Sequence, residues 1–127
     1  MATVLVADND PGVRALLAEV VRRQGFQVAT ASDGLEARAA LLAAQVDLFV
    51  CDLDMPRMSG PQVLQWLAAQ PNQPPVVVVS GYLDARSEAD LGQLPCVRAL
   101  LRKPFDVLAF VQLVQSLAGP TERELGA

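Results

Sequence analysis

Apolar and polar residues alternate in blocks along this sequence, and most apolar blocks end at residues that turn or cap the chain. The first block, residues 3–7, runs into the polar turn Asp8-Asn9-Asp10, which is typical of a strand buried on both faces. In residues 76–79, four consecutive valines give the strongest strand signal, because β-branched side chains pack well on a pleated surface. The pattern predicts five strands, at residues 3–7, 26–31, 47–51, 76–79 and 97–101.

The segments between these strands carry apolar residues at helical spacing. Asp10 followed by Pro11 is a good start for the first helix, and we interpret Asp10 as its cap in preference to a metal ligand. Gly25 ends that helix, and Ser59 can cap the third one. The other helices are predicted at residues 34–44, 60–69, 84–91 and from Asp106 to a stop at Gly119-Pro120. The fourth helix is short and polar, which favours a mobile element.

Strand and helix alternate five times, which predicts an α/β fold with an open parallel sheet covered by helices on both faces. The length of 127 residues suits one domain, and the sequence shows no internal repeat or linker. We predict a domain over residues 1–118, followed by a short polar tail at residues 119–127.

The composition narrows the class of protein. Hydrophobic residues make up 52% of the chain and charged residues 19%, which excludes an intrinsically disordered protein. No apolar run approaches the roughly 20 residues needed to cross a bilayer, and the first residues lack the basic region of a signal peptide. The net charge of −4 does not favour nucleic acid or an anionic membrane as a partner. We therefore expect a cytoplasmic protein.

The chain has no histidine, which excludes Ser-His-Asp and Cys-His catalysis and most zinc sites. Any phosphohistidine in its chemistry must belong to another protein. The two cysteines, Cys51 and Cys96, lie within or beside apolar runs without CxxC spacing, so we expect both to be buried.

Polar residues follow four of the five predicted strands. Because the carboxyl ends of parallel strands share one edge of a sheet, these residues are expected to converge. They are Asp8, Asn9 and Asp10 after the first strand, Asp52 and Asp54 after the third, Ser80 after the fourth, and Lys103 with Pro104 after the fifth. Carboxylates this close repel by about 4 kcal/mol per pair, so a cation is implied, and oxygen ligands suit Mg²⁺, with Mn²⁺ as a substitute. An aspartate beside such an ion can act as a nucleophile in phosphoryl transfer.

Four stretches of the sequence carry a resemblance to a known family: VLVADNDPGVRALL, VDLFVCDLDMPRMSG, PPVVVVSGY and LLRKPF. At these separations they resemble the signature regions of the response-regulator receiver domain, the CheY-like family of two-component signalling. The resemblance covers residues 3–118. It implies a doubly wound, flavodoxin-like fold with the strand order 2-1-3-4-5 and five helices on both faces of the sheet.

The resemblance also implies a role for each residue at the strand ends. Asp52 would be the phosphoacceptor, and the catalytic residues would be Asp52, Ser80 and Lys103. The magnesium ligands would be Asp8, Asn9, Asp52 and Asp54, the last through its main-chain carbonyl. Gly81 would be the small residue beside the hydroxyl, and Pro104 the proline after the lysine.

Two positions depart from the family pattern. Asn9 stands where receivers usually have a second acid, which lowers the negative charge of the site by one, and we expect weaker metal binding. Leu100 stands where an aromatic side chain usually turns inward when the hydroxyl moves. The switch that links Ser80 to Leu100 is therefore expected to be altered.

The resemblance leads us to expect a stand-alone receiver that accepts a phosphoryl group on Asp52 in a magnesium-dependent step. The donor would be a sensor histidine kinase or a histidine phosphotransfer protein, and the chain would be no enzyme beyond its own phosphorylation and dephosphorylation. Because no output domain follows Leu117, the signal would leave by contact with an unknown downstream protein. The fourth helix, fifth strand and fifth helix would form the contact face.

Three alternatives stay open. The DxD motif at residues 52–54 resembles that of a haloacid-dehalogenase-like phosphatase, although the acidic pair expected after Lys103 is missing. A flavodoxin-like flavin site would need a Ser/Thr/Gly-rich phosphate loop after the first strand, which the sequence lacks. A receiver that has lost phosphorylation and acts as a docking domain agrees with Asn9 and Leu100.

Overall fold

Five parallel strands form a single sheet in a computed structural model that describes residues 2–81 and 83–119. The strands are β1 (Thr3–Ala7), β2 (Gln27–Ala31), β3 (Leu48–Cys51), β4 (Val76–Ser80) and β5 (Val97–Arg102). The helices are α1 (Pro11–Arg23), α2 (Gly34–Ala43), α3 (Gly60–Ala68), α4 (Ala85–Gly92) and α5 (Val107–Leu117). Strands and helices alternate, which confirms the predicted α/β organisation.

The strand order is β2-β1-β3-β4-β5, as predicted. β1 pairs in parallel with both β2 and β3, so that Leu5 lies opposite Ala29 on one side and Phe49 on the other. The chain order reverses between β1 and β3. In doubly wound folds this reversal opens a crevice between the loops that follow the two strands, and ligands bind there.

Helices cover both faces of the sheet, as predicted, and each face has its own apolar core. α1 and α5 cover one face, where the buried helix residues are Leu17, Val21, Phe110 and Val114. α2, α3 and α4 cover the other, where they are Ala37, Val63, Leu64, Leu67 and Leu91. Strands β3 and β4 lie between the two cores and are buried along their whole length, as their continuous apolar sequences require.

Some element ends differ by a residue from those predicted. β2 begins one residue later, because Phe26 packs into the core beneath α1 and α5. β3 begins after Asp47, whose carboxylate Oδ2 instead accepts the Thr3 N–H at 2.8 Å. β4 and β5 each extend one residue further, because Ser80 and Arg102 pair with each other in the sheet.

Side-chain caps start α1 and α3 at the predicted residues. Asp10 Oδ1 accepts the Gly12 and Val13 N–H groups at 2.8 and 3.2 Å, which confirms its role as the cap of α1. Ser59 and Gln62 form a reciprocal capping box at the start of α3.

Cys51 and Cys96 are free thiols and both are buried, as expected. Within residues 2–81 and 83–119, no helix is long and apolar enough to cross a membrane. The domain boundary at residue 118 stays a prediction, and residues 120–127 of the predicted tail lie outside the described residues.

Candidate functional site

Two carboxylates lie side by side at the crevice between β1 and β3. Asp8 follows β1 and Asp52 follows β3, and the last residues of these strands, Ala7 and Cys51, are partners in the parallel register. The Asp52 N–H donates to the Ala7 carbonyl at 3.0 Å, which extends that pairing into the site. Asp8 is fully buried and Asp52 is 3% exposed. The fold therefore places two acidic side chains together away from bulk water.

Lys103, which follows β5, brings a positive charge to these carboxylates. Its Nζ lies 2.8 Å from Asp8 Oδ2 and 3.6 Å from Asp52 Oδ2. The Lys103 N–H donates to the Ser80 carbonyl at 2.8 Å, so the residue is also held to the end of β4. The structure thus gathers the segments around positions 8, 52 and 103 into one site, as the sequence predicts.

Burial and the neighbouring charge of Asp8 raise the pKa of Asp52 to about 6, against the smaller opposing effects of Lys103 and the Asp54 N–H. Burial alone would lower the pKa of Lys103, but its hydrogen bond to Asp8 and the two carboxylate charges outweigh burial and raise it. One ammonium therefore faces two carboxylates. A further cation would relieve the remaining repulsion between them.

The other predicted site residues surround this centre at different depths. Ser80 ends β4 and is buried. Asn9 and Asp54 are exposed, and the Asp54 N–H donates to Asp52 Oδ1 at 3.4 Å. Leu100 lies in β5, where it is partly buried against the core beneath α2, α3 and α4. The predicted roles of these residues in metal binding or switching stay predictions.

The donor atoms at this centre are oxygens. Among the described residues, no group of three or more histidine, cysteine, aspartate or glutamate side chains could hold a metal ion. A cation here would therefore be held by the Asp8 and Asp52 carboxylates, with an amide or main-chain oxygen and water completing its shell. Mg²⁺ fits such a donor set, because it retains several waters and binds one or two carboxylates at phosphate sites.

Two glycines hold the β3–α3 loop, residues 52–59, against the neighbouring helices. A Cβ on Gly60 would lie 2.3 Å from the Asp52 carbonyl oxygen, and a Cβ on Gly34 would lie 1.8 Å from the Met58 carbonyl oxygen. Any side chain at either position would displace backbone, since packed interiors leave no such space. From the sequence, both glycines are predicted only as the first residues of helices. Their position at a helix start is the one feature of the sequence that points to these close contacts.

Arg57 stands at a tight turn within the β3–α3 loop. Its φ of 66° is uncommon for a residue with a side chain and costs about 1–2 kcal/mol. The Met58 N–H donates to the Pro56 carbonyl at 2.7 Å, which closes a three-residue γ-turn around Arg57. Its Nε and Nη2 lie 2.9 and 2.8 Å from Asp33 Oδ2. The sequence contains no signal for this pair, because the two residues are 24 positions apart.

A second arginine, Arg102, ties α4 to the sheet. Its Nη1 donates to the Leu83 carbonyl, just before α4, and its Nη2 pairs with Glu88 within that helix. Arg102 is also the partner of Ser80 in the sheet. The start of α4 is therefore attached to the strand that leads directly into Lys103.

Comparison with known proteins agrees with this site. Residues 4–115 match the family described as the response regulator receiver domain. The transcriptional regulatory protein PrrA of Mycobacterium tuberculosis is 38% identical over 117 residues, which cover 90% of this chain and 48% of that protein. Sporulation initiation phosphotransferase F of Bacillus subtilis is 31% identical over 107 residues, covering 82% of this chain and 83% of that protein.

A solved structure shows the same fold. The receiver domain of the Francisella response regulator 1452 superposes with a TM-score of 0.84 at 26% identity, covering 93% of this chain and 97% of that one. The chain spans about half the length of PrrA, so the activity of that whole protein does not transfer with the match. The family match begins within β1, ends within α5 and includes every strand-end residue described above. This chain belongs to the response-regulator receiver domain family of two-component systems.

Proposed function

We propose that this chain is a receiver that accepts a phosphoryl group on Asp52 from the phosphohistidine of a sensor histidine kinase or a histidine phosphotransfer protein. The observation that carries the proposal is the buried Asp8–Asp52 pair with Lys103 Nζ at 2.8 and 3.6 Å from the two carboxylates. The similarity to a sporulation phosphotransferase supports the same chemistry.

In the proposed reaction, a carboxylate oxygen of Asp52 forms a bond to phosphorus while the bond from phosphorus to the donor's histidine nitrogen breaks. The nitrogen keeps the electron pair of the broken bond, and with a proton on the other ring nitrogen the donor leaves as a neutral imidazole. Lys103 supplies positive charge to the phosphoryl oxygens, and the Ser80 hydroxyl at the end of β4 donates to one of them. We propose no catalytic activity beyond this phosphorylation and the hydrolysis of the resulting aspartyl phosphate.

Mg²⁺ is the proposed cofactor, with Mn²⁺ as a substitute. Asp8, Asn9, Asp52 and the main-chain carbonyl of Asp54 would hold it. When bound, the ion neutralises phosphoryl oxygens that a single lysine would leave partly uncompensated. Asn9 contributes a neutral oxygen, so the affinity is expected to be lower than with a second acid at this position.

The proposed output is contact with a downstream protein through the face formed by α4, β5 and α5. Val107 and Leu108 at the start of α5 are 43% and 64% exposed, which supplies apolar area for such a contact. The net charge of −4 favours a protein over nucleic acid. Movement of Ser80, with Leu100 in place of an aromatic residue, would carry the signal to this face.

We also propose that the receiver works as a stand-alone protein in the cytoplasm, where its phosphoryl donors act. The support is the sporulation phosphotransferase, of which the match covers 83%. An immunoblot of the soluble and membrane fractions of the native cells tests both points. A band much heavier than 13.5 kDa, the mass of this chain, or a signal confined to the membrane fraction would contradict the proposal.

Intact-mass measurement tests the phosphorylation itself. The protein is incubated with acetyl phosphate and Mg²⁺, beside Asp52→Asn and the matched control Asp90→Asn, an exposed aspartate on α4 outside the site. The parent and the control should gain one labile phosphoryl group, while Asp52→Asn and samples with EDTA should gain none. No adduct in the parent would favour the docking-domain alternative, and sustained hydrolysis of p-nitrophenyl phosphate would favour the phosphatase.

A further inference from the structure

The γ-turn at Arg57 is held in place by the Arg57 side chain. A residue with a side chain is unfavourable at a φ of 66°, and glycine would adopt this conformation without strain. Arg57 nevertheless occupies the turn and places two guanidinium nitrogens against one carboxylate oxygen of Asp33, which is nearly buried. The bonds to Asp33 therefore stabilise this shape of the loop and oppose the strain.

Asp33 is a firm anchor for that contact. Its other oxygen, Oδ1, accepts the Glu36 N–H at 2.8 Å and so caps α2. The next residue, Gly34, packs directly on the Met58 carbonyl. The ion pair and this backbone contact together join the start of α2 to the γ-turn of the β3–α3 loop.

The other end of the same loop carries the proposed phosphoacceptor. The Gly60 N–H donates to the Leu53 carbonyl at 3.0 Å and closes the loop, and the Asp54 N–H donates to Asp52 Oδ1 at 3.4 Å. Between Asp54 and the γ-turn lies only Met55, which is buried in the core. A change in the turn therefore reaches the Asp54 main chain through this one residue.

We infer that Arg57 and Asp33 are positioning residues, which hold the Asp54 main chain where its carbonyl completes the metal site and its N–H orients Asp52. This inference rests on the proposed function. The pair is exposed on the Arg57 side, where 57% of the side chain is accessible, so its contribution to overall stability is small. Its loss should appear in the affinity for Mg²⁺ and leave the folded state intact.

Calorimetric titration with Mg²⁺ tests this inference on the parent, Arg57→Gly, Arg57→Lys and Arg23→Ala. Arg57→Gly removes the ion pair and also the strain at positive φ, so the variant keeps its fold while the loop gains the conformational freedom of glycine. Arg23→Ala removes an exposed arginine paired with Glu19 on α1, away from the loop, and serves as the matched control. We expect Arg57→Gly to bind Mg²⁺ roughly tenfold more weakly, the lower end of the effect of residues that orient metal ligands.

Arg57→Lys should recover part of the lost affinity, because it restores the charge without the two-nitrogen contact. At saturating Mg²⁺, phosphorylation of Arg57→Gly by acetyl phosphate should return to near the parent rate, which separates loss of binding from loss of chemistry. Asp33→Asn combined with Arg57→Gly should weaken binding no further than Arg57→Gly alone.

The inference is overturned if Arg57→Gly binds Mg²⁺ as the parent does, if Arg23→Ala weakens binding equally, or if the parent binds no Mg²⁺. A parent that binds Mg²⁺ but gains no phosphoryl group refutes the proposed function alone. In that case the same titrations still decide whether Arg57 positions the loop. A urea denaturation curve in EDTA accompanies each variant, and an unchanged midpoint for Arg57→Gly with weakened binding supports the inference.

Discussion

The two segments that flank Asp52 and Lys103 are fixed in different ways. The β3–α3 loop is held mainly by buried packing: Met55 lies in the core, and Gly34 and Gly60 allow backbone to touch backbone. The Arg57–Asp33 pair adds one partly exposed contact. The α3 helix that follows buries Val63, Leu64 and Leu67. In α4, on the other side of the site, Leu91 is the one buried residue, and polar contacts from Arg102 attach the start of the helix to the sheet.

The difference suits the proposed function, in which Asp52 would be held still as the phosphoacceptor and another surface would move in response. Buried backbone contacts break only when the fold is disrupted, whereas exposed ion pairs exchange with water at little cost. Segments with few buried side chains lie at the low end of local stability. In the proposed function, the start of α4 is therefore the side of the site that would respond to a change at Ser80.

Gly34→Ala should disrupt the packing of the β3–α3 loop and give the largest effect. Its Cβ would overlap the Met58 carbonyl, and relief requires movement of backbone, so we expect a loss of about 3 kcal/mol or more in the free energy of unfolding. Gly92→Ala in α4 is the control, because a Cβ there meets nothing within 4 Å and alanine favours a helix. Urea denaturation measures both, and equal stabilities would contradict the comparison.

Asp52→Asn should stabilise the protein above pH 6 in the absence of metal. The folded pKa of Asp52, about 6, lies above its unfolded value, so the folded state binds the proton more tightly. The resulting stability is present at about pH 4 and is lost as the pH rises through 6. We expect the variant to exceed the parent by about 2 kcal/mol at pH 7 and to match it near pH 4. Urea midpoints in EDTA across this range are the measurement, and a less stable variant at pH 7 would refute the account.

Arg102→Ala should loosen the responsive side without affecting the fixed one. An exposed ion pair contributes about 1 kcal/mol or less, which corresponds to hydrogen exchange about fivefold faster in the amides of α4. Exchange in α3 should be unchanged. Arg98→Ala, an exposed arginine in the same strand, is the control. Equal acceleration in both helices would show that Arg102 does not hold α4 specifically.

Asp33→Asn should produce the smallest effect, a loss of stability that is present at neutral pH and disappears at acidic pH. The Glu36 N–H and the Arg57 guanidinium lower the pKa of Asp33 in the folded protein. Its carboxylate therefore stabilises the fold above its unfolded pKa, and this stability is lost as the pH falls through the lowered folded value. The parent should lose stability more steeply than Asp33→Asn below about pH 4, as measured by urea midpoints. If the parent and the variant lost stability equally at acidic pH, the Asp33–Arg57 pair would contribute nothing to stability.

The architecture can be predicted from patterns of residues that lie close together in the sequence. The four valines of β4 form a run that is buried on both faces. Asp10 and Ser59 cap helices by accepting hydrogen bonds from N–H groups two or three residues further along the chain. Because strands in a parallel sheet end at one edge, the convergence of Asp8, Asp52 and Lys103 follows once the alternation of strand and helix is recognised.

The contacts that fix the two sides of the site could not be predicted in the same way. Arg57 reaches Asp33 across 24 residues, and Arg102 reaches Glu88 across 14. Each arginine resembles any other exposed arginine in the sequence, since nothing local indicates its partner. The positive φ of Arg57 is equally hidden, because it is imposed by tertiary contacts on a residue type that does not favour it.

The ammonium that bridges Asp8 and Asp52 belongs to the sole lysine in the sequence. Apart from the chain terminus, an acylating reagent has therefore one amine to attack, and it lies at the centre of the site. The raised pKa of Lys103 keeps that amine protonated and slow to react. The acylation rate of Lys103 therefore reports any change in the charges around its amine. Mass spectrometry can measure this rate without an added label.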